Sequence, residues 1–244
     1  MRPAPAVRPW LPALILAAST LSAQHPGGIP PHPRALRFDP GEPALPTAAG
    51  RRFELARGAV AYLAEEHTLP LVEVTVALPV GSFLDPLEKV GLASLTGALL
   101  RRGGTELLPA DPFDERADTL GARLDSTSGL TRGGASLSAM AWELDEALDL
   151  FFAMLARPAF QPDRLASAQR NLRESMQRRN EDPRAILERE WEWLTFGERH
   201  FSTRPVTPAS LAAIRRQDLL SFHQRYWRPQ QLIFAVSGDF RPQE

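Results

Sequence analysis

The sequence predicts an α+β domain in two layers, with a mostly antiparallel sheet packed against helices. Three patterns lead to this fold class: paired segments of alternating polarity early in the chain, amphipathic segments of helical period from residue 144 onward, and one alternating segment that returns at residues 231–238. Strands followed by helices are typical of α+β folds, in which each layer buries one apolar face against the other. A chain of 244 residues is long enough for such a core.

Strands are predicted in two groups in the first part of the chain. The clearest covers residues 71–78, where one face collects Val72, Val74, Val76 and Leu78. Residues 53–57 and 59–65 predict two shorter strands. Residues 121–129 and 133–141 predict another pair, joined by a turn that contains glycine.

Helices are predicted between and after these strands. Residues 91–102 form the first, and residues 111–120 form the second, with Asp111 as its N-cap. The later helices are predicted from residue 144 to Pro158, from Pro162 to Pro183, over residues 185–196, briefly after Thr207, and over residues 217–226. Within residues 185–196, Trp191, Trp193 and Phe196 are interpreted as core and helix-packing residues.

Three segments are expected along the chain. Residues 1–23 have a basic start, a short apolar run and small residues before Gln24, which is the pattern of a signal peptide cleaved near Ala23, with an uncleaved anchor as the alternative. The apolar run is too short for a membrane span, which needs about 20 apolar residues. Residues 24–50 are rich in proline and are expected to form an extended arm. Residues 51–244 are predicted to form a single domain, exported to the periplasm or beyond.

Composition and motifs exclude several function classes. A formal net charge of −1 provides no basic field for nucleic acid. The chain has no cysteine, and it contains no Gly-x-Ser-x-Gly elbow, P-loop or Gly-x-Gly-x-x-Gly motif. These absences disfavour the common nucleophilic hydrolases and nucleotide-binding enzymes.

The histidine inventory disfavours a zinc hydrolase. The five histidines are His25, His32, His67, His200 and His223, and no two of them stand three to five residues apart. Two zinc ligands on one helix need about that spacing. His25 and His32 are interpreted as solvated arm residues, His67 and His200 as loop residues without an evident serine or aspartate partner, and His223 as half-buried.

A series of short motifs spans residues 52–240 in a specific order. It runs Leu55-Ala-Arg-Gly58, Glu66-His-Thr-Leu-Pro70, Gly81-Ser82, Asp85-Pro86, Gly91-Leu-Ala93, Gly104-Thr105, Glu181-Asp-Pro183, Tyr226-Trp-Arg-Pro229 and Val236-Ser-Gly-Asp239. Each motif is weak alone, but their order and spacing resemble the M16 (insulinase, or pitrilysin-like) metallopeptidases. The resemblance implies a two-layer M16 peptidase-like domain.

In active M16 enzymes, the helix that matches residues 91–102 carries His-x-x-Glu-His, whose histidines bind zinc and whose glutamate activates water. Here those three positions are Ser94, Gly97 and Ala98. The family's third ligand, a glutamate, falls at Ser175, and neighbouring Glu174 would point about 100° away on a helix. The resemblance therefore implies that zinc is absent. Because a helical glycine costs about 1 kcal/mol relative to alanine, a side chain at position 97 is expected to be tolerated.

A candidate peptide-binding strand also follows from the resemblance, because active members add an extended substrate to an edge strand. The matching segment here is Leu124, Asp125, Ser126, Thr127 and Ser128. Small hydroxylated side chains on an exposed edge leave the backbone free for strand addition. An ordinary edge strand guarded by Asp125 and Arg123 is an equally good interpretation.

The resemblance implies an exported domain, inactive alone, that acts as the degenerate half or partner subunit of a zinc peptidase assembly and contributes to peptide binding. Its expected partner is a zinc-bearing M16 subunit or a second M16 domain, so the chain is either a stand-alone half or the first half of a longer protein, and an oligomer is expected. Two alternatives stay open. One is a peptide-binding or structural exported protein outside proteolysis, and the other is an active zinc peptidase with unconventional ligands such as His67 or His200.

Overall fold

A computed structural model describes residues 49–241 together with Arg34 and Thr47. The described residues from Thr47 onward belong to one compact unit. The predicted signal peptide and nearly all of the predicted arm, including His25 and His32, lie outside the described residues. Within the described part of the chain, no helix is both long enough and apolar enough to cross a membrane.

Six strands form one sheet. They are β1 (Arg52–Glu54), β2 (Val60–Glu65), β3 (Leu71–Leu78), β4 (Arg123–Ser128), β5 (Gly133–Met140) and β6 (Ile233–Gly238), and their order across the sheet is β1-β2-β6-β3-β5-β4. Every pairing among the described strands is antiparallel except that of β2 with β6. The predicted mostly antiparallel sheet is therefore confirmed. The closing strand β6 lies at its centre, and β4 forms one edge with β5 as its neighbour.

Helices cover the sheet and complete the two-layer α+β fold. Those of the described chain are α1 (Leu92–Arg102), α2 (Ala110–Thr119), α3 (Leu144–Ala156), α4 (Pro162–Arg178), α5 (Pro183–Phe196), α6 (Pro208–Ala213) and α7 (Arg216–Tyr226). Sheet and helices share one core, to which β3 contributes the predicted face, with Val72, Val74, Val76 and Leu78 buried. On the opposite face of β3, Glu73 and Thr75 are exposed, as the alternation predicts.

Helix α2 begins differently from the prediction. Its N-cap is Pro109, and Asp111 lies inside the first turn. The backbone N–H of Ala110 donates to Oε1 of Gln161 over 2.8 Å, so a side chain far away in the sequence satisfies this end of the helix. Asp111 pairs with Arg164 instead. The local sequence could not reveal this arrangement, because the capping group comes from another element.

The interpretation of Trp191, Trp193 and Phe196 as core residues is wrong. Helix α5 has no buried residue, and these three side chains are 66%, 40% and 55% exposed. The helix contacts the domain chiefly at the 3₁₀ turn Phe201–Thr203, where Nε1 of Trp193 donates to the carbonyl oxygen of Thr203 over 3.3 Å. Apolar spacing predicted the helix but not its exposure.

His223, on α7, is more buried than the sequence predicts. It is 7% exposed, and its Nε2 lies 2.8 Å from the carbonyl oxygen of Leu155 on α3. Burial lowers the pKa of His223, and the hydrogen bond to Leu155 opposes that effect. The ring therefore joins two helices as a structural group.

Candidate functional site

A buried carboxylate fixes the N-terminus of α1, the helix that carries three of the family's zinc-site positions. Oδ2 of Asp85 accepts a hydrogen bond from the backbone N–H of Gly91, and Oδ1 accepts one from that of Ala93, both over 2.8 Å. Asp85 is 5% exposed. Burial raises the pKa of Asp85, while the two backbone bonds and the charge of Arg204 act in the opposite direction. These bonds satisfy N–H groups that a helix start leaves without partners.

The four positions matched to the zinc site lie in different surroundings. Ser94 is exposed and Ala98 is half-buried on the outer side of α1, whereas Gly97 is buried. Ser175 is exposed on α4. Because α1 and α4 contact each other, Ser94, Ala98 and Ser175 lie on neighbouring helices. Gly97 belongs to another side of α1, which faces β4.

Gly97 allows α1 to approach the backbone of β4 too closely for any side chain. A Cβ atom at this position would lie 2.4 Å from the backbone N of Ser128 and 2.7 Å from both Cβ of Ser128 and the carbonyl carbon of Thr127. The expectation that position 97 tolerates a side chain is therefore wrong in this structure, because backbone atoms cannot rotate away. The buried Oγ of Ser128, next to this contact, has no hydrogen-bond partner among the described residues.

Two side-chain contacts hold α1 against β4. Oγ of Ser126 donates to the carbonyl oxygen of Gly97 over 2.6 Å and accepts from the backbone N–H of Arg101 over 3.0 Å. Nε of Arg101 donates to the carbonyl oxygen of Leu124 over 3.0 Å. The candidate peptide-binding strand, Leu124–Ser128, is thus the edge strand β4, and its inner residues contact the helix that carries the zinc-site positions.

These residues do not fit a catalytic zinc. Such an ion takes about three protein ligands of imidazole, thiolate or carboxylate type and keeps one position open for water. Ser94 and Ser175 offer hydroxyl groups, and Gly97 and Ala98 offer no donor atom. Elsewhere in the described residues, no three or more histidine, aspartate or glutamate side chains are grouped so as to hold a metal ion.

The two loop histidines have polar partners that sequence reasoning missed. Nδ1 of His67 lies 2.7 Å from Oδ1 of Asp239, and this hydrogen bond raises the pKa of His67. Nδ1 of His200 lies 2.7 Å from Oγ of Ser202. Asp239 is 172 positions from His67 in sequence. The order of the strands in the sheet brings the two residues together, and no local sequence pattern indicates this pair. His200 and Ser202 belong to one local turn, which the two-residue spacing could have indicated.

The two-layer fold and the motif series define a domain of the metallopeptidase type. The chain belongs to the insulinase family, peptidase family M16, whose family model matches residues 60–203, more than half of the chain. No curated protein was found to match the chain.

Solved structures with the same fold include three bacterial proteins. The peptidase M16 inactive domain from Pseudomonas fluorescens matches with a TM-score of 0.74 and 22% identity, over 79% of this chain and 47% of that one. A protease from Helicobacter pylori matches with a TM-score of 0.64 and 20% identity, over 79% and 46%. The periplasmic protease PqqL from Escherichia coli matches with a TM-score of 0.68 and 17% identity, over 79% and 22%. The chain therefore spans less than half of each of these proteins, and the likeness concerns the fold.

Proposed function

We propose that this chain is an exported, non-catalytic M16 domain that serves as the degenerate half or partner subunit of a zinc peptidase assembly. The observation that carries the proposal is the contact of Gly97 with β4. Ser94, Ala98 and Ser175 supply no zinc ligand, and the position of the water-activating glutamate has become a backbone packing site. A change in all four positions together fits a domain selected for its shape and not for zinc chemistry.

The partner role is supported by an exposed apolar face on α5. Leu187, Trp191 and Leu194 follow the i, i+4, i+7 spacing of one helix face and are 66%, 66% and 82% exposed. Together they leave roughly 400 Å² of apolar surface, since one large aromatic side chain alone offers about 150–250 Å². Patches of that size commonly mark interaction sites. This face would form the centre of an interface, which needs about 800 Å² from each partner.

The size of the related proteins supports the same proposal. The structures that share the fold are more than twice as long as the matched region, and one of them is described as the first half of a periplasmic protease. A second M16 domain, in this protein or in another subunit, would supply the zinc. Export to the periplasm or beyond rests on residues 1–23 and on the periplasmic location named for PqqL.

The partner proposal is tested by mixing the purified mature chain with a zinc-bearing M16 protein of the same organism. Light scattering should detect a stable complex, and the complex should hydrolyse unfolded peptides faster than the zinc-bearing protein alone. The double variant W191E/L194E should lose the complex because it places charge on the exposed apolar face. Ala185→Glu, on the opposite and also exposed side of α5, is the matched control and should retain it.

Two results would contradict the proposal. One is a strictly monomeric chain that forms no complex in this experiment. The other is a chain that associates only with itself and leaves the hydrolysis rate of the zinc-bearing protein unchanged, which would favour a structural role outside proteolysis.

A further inference from the structure

An apolar groove lies on the helix side of the sheet, at the end away from β4. Side chains of β2, β6 and β3 form its floor, and its volume is about 710 Å³. The helices of the described chain contact the sheet chiefly at β4 and β5. In this part of the chain, the helix layer therefore leaves the inner faces of β1, β2 and β6 largely uncovered.

Helix α3 forms one wall of this groove. Leu144, Leu148 and Phe152 line it at a spacing of four residues, and the ring centre of Phe152 lies 6.2 Å from that of Phe234 on β6. Phe53 of β1 lines the opposite side. The strip from β6 to β1 is two strand spacings wide, about 10 Å, and an α-helix with its side chains measures about 10–12 Å across. One further helix beside α3 therefore fits the groove.

Four large apolar side chains that line the groove are between 38% and 66% exposed. They are Phe53, Leu55, Trp142 and Phe152. Together they offer roughly 400 Å² of apolar surface, given about 150–250 Å² for one whole aromatic side chain. The exposed face of α5 offers about as much, and a stable interface needs about 800 Å² from each partner. The two surfaces together thus supply an area that neither supplies alone. Charged groups of both signs, Asp145 and Arg241, also line the groove, as in the polar rim of a protein interface.

We propose that this groove receives one amphipathic helix of the polypeptide that carries the second M16 domain. The inference rests on the proposed partner role and adds a second surface to it. The helix lies beside α3 with its apolar stripe on β2 and β6, and so completes the helix layer over the sheet. A groove between a sheet and a helix contacts such a helix on more than one side, whereas the convex face of α5 offers a single line of contact.

The purified mature chain tests the groove without any partner. The probe is a fluorescein-labelled peptide of about 18 residues, long enough to form a helix. It is built from alanine, leucine, lysine and glutamate with leucine at the i, i+3, i+4, i+7 spacing, and a control peptide has the same composition with the leucines scrambled. Binding is followed by fluorescence anisotropy. Phe152→Glu places charge on the wall of the groove. Leu194→Glu is the matched control, because Leu194 is an exposed apolar residue of α5 and does not line the groove.

The wild type and L194E should bind the amphipathic peptide and prefer it to the scrambled one. F152E should bind it at least about tenfold more weakly, because the bound helix would bury a charge without a partner. Trp142→Ala should also weaken binding, and it changes a side chain that is mostly exposed, so it provides the comparison if circular dichroism shows that F152E is not folded. Wild-type affinity in a folded F152E or in W142A, or no preference for the amphipathic peptide, would overturn the groove as a helix site.

The occupant is tested in the complex of the mature chain with the zinc-bearing M16 protein. The peptide should not bind this complex, because the partner's helix covers the groove. Undiminished binding would overturn the assigned occupant and leave the partner role intact, whereas absence of any complex would contradict both. A wild-type chain that light scattering shows to be a dimer, with F152E a monomer, would assign the groove to a second copy and also overturn the proposal.

Discussion

The hydroxyl of Ser126 donates to the carbonyl oxygen of Gly97 across 2.6 Å. It also accepts from the N–H of Arg101, four residues further along α1, and this is the spacing of a helix's own hydrogen bond. A side chain of the edge strand therefore enters the bonding pattern of the helix. At the position where active M16 enzymes have a glutamate, this chain has Gly97, and its own strand β4 packs against that glycine.

Replacement of Gly97 by alanine should destabilise the domain, although alanine is the better helix former. The added Cβ would meet the backbone of Ser128, and overpacking of this kind costs typically about 1–3 kcal/mol. The measurement is the free energy of unfolding from urea titration. Ser94→Ala, on the exposed side of the same helix, is the control and should change it by less than about 0.5 kcal/mol. Equal stability of G97A and the wild type would mean that α1 does not lie this close to β4.

Asp85 should make stability depend on pH in the acid range. Because burial raises its pKa above the ordinary 3.8, the folded state holds the proton more tightly than the unfolded state. The contribution of this group is therefore fully present below pH 3.8 and is lost as pH rises through the folded pKa. Asp85→Asn should lack this step when unfolding is measured between about pH 3 and 7. It should also be less stable by about 1–3 kcal/mol, since one backbone N–H loses its acceptor. If D85N and the wild type show the same dependence of unfolding free energy on pH, Asp85 is not the group responsible for this step.

The match of Ser94, Ala98 and Ser175 to the zinc ligands can be tested without touching Gly97. The variant S94H/A98H places two imidazoles one turn apart on the outer side of α1, and S94H/A98H/S175E adds a carboxylate from α4. The triple variant should bind zinc more tightly than the double variant in a competition titration with a chromophoric chelator. Hydrolysis is not expected, because position 97 has no room for a glutamate. If Ser175→Glu adds no affinity, position 175 is not the third ligand position.

The sequence was sufficient for the elements whose signal is local. The alternation of Val72, Val74 and Val76 identified β3 to the residue, and motif order identified the family. The sequence was insufficient where contacts with a distant element determine how a helix packs or which of its faces is exposed. The close packing of α1 on β4 depends on the absence of a side chain at Gly97. It also depends on the backbone of Ser128, which is 31 positions from Gly97 in the sequence. The apolar spacing around Trp191 could not reveal that the rest of this domain leaves that face of α5 open.

The claim that this domain does not use zinc is tested most directly by metal analysis of the purified mature chain, with peptide hydrolysis measured on the same sample. The ligand inventory predicts far less than one zinc per chain and no hydrolysis that a chelator abolishes. About one zinc per chain, together with chelator-sensitive hydrolysis of an unfolded peptide, would contradict the account and favour ligands such as His67 or His200.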